Sequence, residues 1–287
     1  MVKTIGNPLS WGAKAFGATA RYLTFETEHI GGGRVKTPPE VRSIGLSDIS
    51  HALRKGVEDF TTFRSDVIFI VFLYPIIGLC MAWLAFNANL VHYVFPLAAG
   101  FALVGPLAAI GLFEMSRRRE MGRETGWSHV LGVLHSPSIG PIVVMGVYLL
   151  LLFVIWMAAA NYIHSMTMGP EPAATPMAFL HDMFATRGGW AMIAIQIPVG
   201  FVFAAVVLVI SVVSFPLMLE HDIGLPMAVV TSVRVARRNP VTIAAWGLIV
   251  AVGLALGSLP LFLGLIVVMP ILGHANWHLY RRAVVVK

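Results

Sequence analysis

Long apolar runs alternate with short polar segments over most of this 287-residue chain. A membrane-spanning helix needs about 20 apolar residues, and six runs come near this length. They lie near Val67–Phe86, Tyr93–Phe113, Ile139–Ile163, Trp190–Phe215, Val241–Leu256 and Pro260–Ala275. The pattern predicts an all-α, polytopic membrane protein with six transmembrane helices.

The segment before the first run is polar and divides into two parts. Residues 1–45 form a predicted cytoplasmic extension and linker, because Gly31–Gly33 and Pro38-Pro39 disfavour regular structure. From Ser47 onwards, one helical face is apolar and the other is charged. The apolar face holds Ile49, Leu53, Val57 and Phe60, and the charged face holds Arg54, Lys55, Glu58 and Asp59. We therefore predict an amphipathic lead-in helix on the membrane surface, at the start of a transmembrane domain over residues 46–287.

The last two runs are short, and only Gly257-Ser258-Leu259 separates them. Glycine, serine and the following Pro260 favour a tight turn at this point. Arg237-Arg238 precede the pair and Arg281-Arg282 follow it, so both ends of the pair require the same side of the membrane. The two runs are therefore predicted to form a hairpin and not one long helix.

Basic residues set the orientation of the predicted spans. All but one of the 20 Lys and Arg residues lie before Val67, between Phe113 and Ile139, between Phe215 and Val241, or after Ala275; the exception is Arg187. Positive charge accumulates in the cytoplasmic loops of membrane proteins. The distribution predicts an even number of crossings, with both chain ends in the cytoplasm.

Three similar units follow one another in the same direction, at about residues 46–122, 123–222 and 223–287. Each has a cytoplasmic lead-in, a small polar break and a spanning hairpin whose return helix contains a proline. The breaks are Ser65-Asp66, Ser136-Pro137 and Asn239-Pro240, and the prolines are Pro106, Pro216 and Pro270. We predict three pseudo-repeated hairpins related by an axis along the membrane normal. Proline bends a helix, and these bends form either packing kinks or the wall of a funnel near the cytoplasmic leaflet.

Ionisable residues follow the repeat prolines at equivalent spacings. Ile110, Glu220 and His274 lie four residues after the prolines, and Glu114, Gly224 and His278 lie eight residues after them. If the repeats are real, Glu114, Glu220, His274 and His278 converge at the inner membrane face. Two histidines one helical turn apart, with carboxylates nearby, suit a divalent metal such as zinc, a proton relay or buried hydrogen bonds. The alternative is contact with headgroups and water, where ionisable groups cost little.

Composition and motifs narrow the classes of function. Charged residues make up only 12% of the chain, and the net charge of +6 fits positive cytoplasmic loops, so nucleic acid is not an expected partner. The single Cys80 excludes an intramolecular disulfide. The sequence has no phosphate-binding loop, dinucleotide fingerprint or nucleophile elbow, so neither an enzyme activity nor an organic cofactor is predicted. The Arg117–Arg119 run is expected to contact anionic lipid headgroups at the cytoplasmic face.

Several motifs resemble those of one bacterial family. Arg42–Leu46 with Ala52–Gly56 is similar to its opening motif, and Gly105–Leu107 with Gly111–Arg119 is similar to its second motif. Ser214–Pro216, Asn239-Pro240 and Gly273–Tyr280 are similar to the rest. Together these motifs span about residues 42–282 and resemble the integral membrane proteins of domain-of-unknown-function family 2189. The resemblance implies no established activity, although some members have a cytochrome c oxidase label.

Short loops and the lack of a catalytic motif favour a non-catalytic accessory, scaffold or assembly component of a membrane complex, with a respiratory oxidase as one candidate. A haem-copper catalytic subunit needs histidines at membrane depth, whereas most of the ten histidines lie at the ends of segments. Two alternatives stay open. One is a small-solute or ion permease or channel, which predicts a polar cavity in the cytoplasmic half. The other is a metal-binding membrane protein that uses His274 and His278.

Overall fold

The computed structural model describes residues 37–62, 76, 79–80, 83, 91–93, 96–97, 105–106, 109–124, 138–171, 173, 175–260 and 262–286. The described chain is helical apart from two short strands, which confirms the all-α class. The strands are β1 (Glu40–Val41) and β2 (Val284–Val285). The helices are α1 (Leu46–Thr62), α2 (Ile110–Glu120), α3 (Ile139–Thr167), α4 (Pro176–Ala185), α5 (Arg187–Ser211), α6 (Ser214–Glu220), α7 (Leu225–Arg238), α8 (Pro240–Ser258) and α9 (Leu265–Ala283).

Three segments of the described chain are long and apolar enough to cross a membrane. They are α3, the pair α5 and α6 taken together, and α8, with mean hydropathies of 2.7, 2.7 and 2.0. Large apolar side chains such as Leu151 and Val154 on α3 and Leu248 and Val252 on α8 are exposed. Such surfaces suit hydrocarbon and not water, since spanning helices satisfy their own backbone groups and present apolar side chains to lipid. The chain is an integral membrane protein with transmembrane helices.

The six-span count stays a prediction. The runs over residues 67–113, and the breaks at 65–66 and 136–137, lie wholly or mostly outside the described residues. The last run differs from its prediction, because α9 begins at Leu265 instead of Pro260 and continues to Ala283. Its second half contains His274, His278 and two arginines, so α9 is not among the candidate spans.

Helices α8 and α9 form the predicted hairpin, but its turn lies later than predicted. Helix α8 continues through Gly257 to Ser258, and the turn ends at Gly264. A Cβ on Gly264 would lie 2.8 Å from the Cα of Gly257, so the two backbones touch at these glycines. The positive φ in this turn, 65°, belongs to Phe262. Glycine is therefore required here by the close approach of the helices and not by the conformation of the turn.

The repeat prolines do not have equivalent roles. Pro270 lies inside α9, as predicted. Pro216 lies at a break in the second return helix, because α5 ends at Ser211 and α6 begins at Ser214. Proline has no N–H, so the carbonyl of Val212, four residues earlier, has no helical donor at this break. The interior proline of α5 is Pro198. Because the first hairpin lies mostly outside the described residues, the threefold repeat stays a prediction.

Side chains from other helices stabilise the break between α5 and α6. Ser232 Oγ donates to the carbonyl of Val209 at 2.7 Å, and Asn276 Nδ2 donates to the carbonyl of Val212 at 3.0 Å. Lipid provides no donors for carbonyls at the end of a helix, so such groups need partners within the protein. These bonds tie α7 and α9 to the break.

Helices α1, α2, α6 and α7, the start of α8 and the second half of α9 pack together; we call this part of the molecule the basic end. The two termini of the described chain meet there, because β1 pairs antiparallel with β2 and joins Val41 to Val284. The backbone N–H of Arg42 also donates to the carbonyl of Ala283 at 2.8 Å. Helix α1 is thereby placed along α9.

Helix α1 buries a different face from the one that the sequence predicts. Of the predicted apolar face only Ile49 is buried, and Val57 is 43% exposed. The buried stripe is Ile49, Ala52, Gly56 and Asp59. A Cβ on Gly56 would lie 2.6 Å from the carbonyl oxygen of Ile271, so the small residues allow α1 and α9 to touch backbone to backbone. Asp59, which the sequence places on the solvent face, is therefore carried into the interior.

Asn239 fixes the segment that leads into α1. Its Oδ1 accepts from the backbone N–H of Ile44 at 2.8 Å, and its Nδ2 donates to the carbonyl of Arg42 at 3.1 Å. Thr242 Oγ1 donates to the carbonyl of Ile44 at 2.9 Å. The polar break at Asn239-Pro240, predicted from the sequence, thus serves as an anchor for the lead-in.

Replacing Asn239 with alanine is expected to destabilise the protein by about 1–3 kcal/mol, because the buried N–H of Ile44 loses its acceptor. Thermal unfolding of the detergent-solubilised protein measures the change. Ser50→Ala is the matched control, since the Ser50 hydroxyl donates to the carbonyl of Ser47 at an exposed position. Equal melting temperatures for the two variants would contradict the anchoring role of Asn239.

Candidate functional site

Buried polar side chains meet where α1, α2 and α9 cross. Asp59 of α1 is 2% exposed, and His274 of α9 is fully buried. Asp59 Oδ2 accepts from Ser116 Oγ at 2.5 Å and from His278 Nε2 at 2.9 Å, and Arg119 of α2 pairs with Oδ1. One carboxylate therefore joins three helices. We call these five residues the Asp59 cluster.

The spacing of the residues on each helix explains their convergence. Ser116 and Arg119 are three residues apart on α2, and His274 and His278 are four residues apart on α9. Residues at these separations lie on the same helical face. Each of the two helices therefore presents a pair of polar groups to the single carboxylate on α1.

A chain of hydrogen bonds leads from Asp59 into the interior. The Oγ of Ser116 lies 2.5 Å from Asp59 Oδ2 and 2.8 Å from His274 Nδ1. A hydroxyl has one proton, so when Ser116 donates to the carboxylate, Nδ1 of His274 must donate to Ser116. This arrangement connects an imidazole to a carboxylate through one hydroxyl, which is geometry suited to moving a proton.

Two opposing effects act on the Asp59 carboxyl. Burial removes water from the carboxylate and by itself raises the pKa of Asp59. Hydrogen bonds from His278 and Ser116, together with the positive charge of the histidines when protonated, outweigh burial and lower the pKa of Asp59 below its ordinary value. The carboxylate is therefore the form that the folded protein stabilises.

Low pH is expected to destabilise the packing of the helices at the basic end. The lowered pKa of Asp59 means that its contribution to stability is fully present above the ordinary aspartate pKa of about 3.9 and is lost as the pH falls through the folded value. The difference in melting temperature between wild type and Asp59→Asn in detergent should therefore stay level towards about pH 4 and shrink below it. Asp59→Asn should show a shallower decline, and the same pH profile in both proteins would count against this account.

The Asp59 cluster borders a cavity of about 280 Å³ between α1, α2 and α9. The lining contains charged groups of both signs: His51, Lys55, Glu58, Asp59, Ser116, Arg119, Glu120 and His278. Glu58 pairs with Lys55 at 2.7 Å, and Glu120 pairs with Arg281 at 3.1 Å. The cavity therefore connects the buried hydrogen bonds of the cluster with a charged rim.

The structure places the two predicted carboxylates outside the cluster. Glu114 is 5% exposed and accepts from Arg117 at 2.9 Å and from Arg118 at 2.7 Å. Glu220 accepts from the hydroxyl of Tyr280 at 2.6 Å and from Arg281 at 2.7 Å. Glu220 is linked to the cavity rim only indirectly, because Arg281 also pairs with Glu120. The sequence thus predicted the two histidines of the cluster but not their carboxylate partner.

The described residues contain no group of three or more His, Cys, Asp and Glu side chains that could hold a metal ion. His278 uses Nε2 on Asp59, and His274 uses Nδ1 on Ser116. The metal hypothesis for His274, His278, Glu114 and Glu220 stays a prediction. Elemental analysis of protein purified without chelator tests it directly, and a stoichiometric metal would support it.

Asp59, Ser116 and Arg119 could not be selected from the sequence alone. Asp59 lies on the charged side of an amphipathic pattern, and Arg119 belongs to a basic run that resembles a solvated loop. One sequence signal was available: Ala52 and Gly56 are small residues four positions apart, and Asp59 follows three positions later on the same helical face. Small residues at such spacing indicate close helix packing in membranes.

Comparison with known families agrees with the fold. A family model described as predicted integral membrane protein, DUF2189, matches residues 94–220. This confirms the resemblance over that part of the chain. No curated protein and no solved structure shows significant similarity to the chain. The matched region includes Ser116 and Arg119, whereas Asp59, His274 and His278 lie outside it.

Proposed function

We propose that this protein is a non-catalytic accessory or assembly component of a bacterial inner-membrane complex, with the basic end in the cytoplasm. One observation carries the proposal: the ionisable groups at the basic end bind one another across helices. Asp59 joins α1, α2 and α9, and Glu220 joins α6 to α9 through Tyr280. Charges used in this way hold helices in fixed positions, as expected of a rigid platform for partner subunits.

The membrane-facing surfaces fit the same role. Helices α3 and α8 present long apolar faces, with only 28% and 22% of their spanning windows buried within the chain. Such faces accept either lipid or the spanning helices of a partner, because helix association in membranes depends on packing. A respiratory oxidase is the first complex to examine, since some members of the resembled family have that label.

Cross-linking in intact membranes tests the proposal. The tagged full-length chain would be cross-linked in its native membrane, purified in mild detergent and analysed by quantitative mass spectrometry. A tagged polytopic protein of unrelated sequence, expressed at the same level, is the control. We expect one or a few membrane proteins in fixed ratio to the chain and absent from the control. Recovery of the chain alone as a monomer in every detergent would reject the proposal.

A second candidate function is a proton-linked permease for a small solute or ion. The observation that favours it is the cavity of about 280 Å³, whose lining is connected to buried His274 through Asp59 and Ser116. Groups linked by hydrogen bonds can pass a proton from a solvent-facing cavity towards the apolar layer.

Proteoliposomes with an internal pH-sensitive dye distinguish this candidate from the first. The permease hypothesis expects proton movement above that of empty liposomes, loss of movement in Asp59→Asn, and normal movement in Glu58→Gln. Glu58 is the matched control because it lines the same cavity but is 42% exposed and pairs only with Lys55 among its described ion pairs. Equal movement in wild type and Asp59→Asn would eliminate the relay.

A further inference from the structure

A second basic surface lies at the end of α7, away from the Asp59 cluster. Helix α7 has no acidic residue, and Arg234, Arg237 and Arg238 are all exposed. They follow the exposed Val230 and precede the exposed Val241 at the start of α8. Three cations thus lie between two apolar side chains on the outside of the protein. We call Arg234, Arg237 and Arg238 the α7 arginines.

The α7 arginines differ from the arginine run that the sequence selects for lipid contact. Arg117 and Arg118 both pair with the buried Glu114, and Arg119 pairs with the buried Asp59. Two buried carboxylates therefore compensate most of the charge of these three arginines within the protein. In contrast, Arg234 contacts a neutral oxygen, the carbonyl of Pro39 at 3.4 Å, and Arg238 contacts another, the hydroxyl of Ser43 at 3.2 Å.

Strand β1, which packs beside α7, leaves this surface positive. Strand β1 contributes one carboxylate, Glu40, and the following Arg42 is exposed. Helix α7, strand β1 and Arg42 together therefore contribute four arginines and one carboxylate to this surface. The contact to Ser43 holds the guanidinium group of Arg238 close to the protein, which lowers the entropic cost of binding an anion there.

The position of the surface relative to the membrane indicates what binds there. Asn239 alone separates α7 from α8, a candidate span whose Val241, 72% exposed, and Leu248 face outwards. Apolar side chains at the start of a span contact acyl chains, so cations one turn earlier lie at the depth of the headgroups. Guanidinium groups bind phosphate in a bidentate manner.

We propose that the α7 arginines form a binding surface for the phosphate of an anionic phospholipid. The lipid's acyl chains lie along the exposed face of α8, and its phosphate contacts Arg237 and Arg238. This inference needs only that α8 spans the membrane and is independent of the proposed accessory role.

Native mass spectrometry of the full-length protein in detergent tests the proposal. Phosphatidylglycerol and phosphatidylcholine with the same acyl chains are the probes. The variants are Arg237→Gln/Arg238→Gln and the charge-retaining Arg237→Lys/Arg238→Lys. The matched control, Arg54→Gln/Lys55→Gln, removes two positive charges from exposed or half-exposed positions of the same basic end.

We expect wild type to retain phosphatidylglycerol in preference to phosphatidylcholine, and the glutamine variant to lose roughly tenfold or more of that preference. The lysine variant should keep part of it, and the Arg54/Lys55 control should resemble wild type. An equal loss in the control, or an unchanged preference in the glutamine variant, would overturn the site. Melting temperatures without added lipid show whether each variant is folded, and Arg237→Gln alone is the fallback variant.

Inorganic phosphate tests whether the surface binds a free anion instead of a lipid. If phosphate raises the melting temperature of wild type as much as phosphatidylglycerol does, and both effects vanish in the glutamine variant, the surface binds a free anion. That result would overturn the lipid as its occupant. Stabilisation by phosphatidylglycerol but not by phosphate supports the proposal.

Discussion

Asp59→Ala is expected to lower the stability of the protein by about 3–5 kcal/mol, the cost of removing one partner from a buried charged pair. The variant removes the acceptor that Ser116, His278 and Arg119 share, and it leaves the buried Ser116 hydroxyl without a carboxylate partner. In a chain of this size such a loss lowers the melting temperature by roughly 2–4 °C per kcal/mol. Limited proteolysis should also show earlier cleavage within α1, because α1 loses its polar contact to α2.

Two further variants separate the charge of Asp59 from its volume. Asp59→Asn keeps the shape of the side chain and should cost less than alanine, since its amide oxygen still accepts one hydrogen bond. Glu58→Ala removes the adjacent carboxylate, which is 42% exposed and paired with Lys55, and should change stability by about 1 kcal/mol or less. If Glu58→Ala and Asp59→Ala were equally stable, the Asp59 cluster would not hold the basic end together.

Gly56→Leu is expected to displace α1 from α9. Even a Cβ at this position would lie 2.6 Å from the carbonyl oxygen of Ile271 and 2.8 Å from the N atom of Ala275. These are backbone atoms, so no change of rotamer can relieve the clash. Overpacking usually costs about 1–3 kcal/mol, and this site should lie at or above the upper limit. The same displacement would carry Asp59 away from Ser116.

Cysteine labelling can follow the displacement of α1 directly. Introducing Ala52→Cys on the buried stripe should give slow labelling in an otherwise wild-type protein and fast labelling together with Gly56→Leu, with the native Cys80 replaced by serine in both. Gly45→Ala is the control, since its added Cβ would find only Ser47 Oγ, at 3.8 Å. Slow labelling of Ala52→Cys in the Gly56→Leu background would falsify the tight packing of α1 on α9.

The two histidines of the candidate site were predicted because they follow Pro270 at helical spacings. Their partner was not predicted, because the amphipathic pattern of α1 assigns Asp59 to the charged face. Periodicity shows which residues share a face but not which face is buried. In α1 the buried face is the one that contains Ala52 and Gly56. Their small side chains allow backbone contact with α9, and this contact stabilises the arrangement more than burial of Val57 would.

The sequence by itself determined that the chain is helical and embedded in a membrane, because the length and apolarity of a span are local properties. It also located the break before α8 and the hairpin formed by α8 and α9, because proline, serine and flanking arginines act over a few residues. Tertiary structure alone decided that Asp59 is buried, that Glu220 pairs with Tyr280 and Arg281, and which arginines remain exposed. These outcomes depend on contacts between helices far apart in the chain, such as α1 with α9, and no local pattern shows which donors on other helices share one carboxylate.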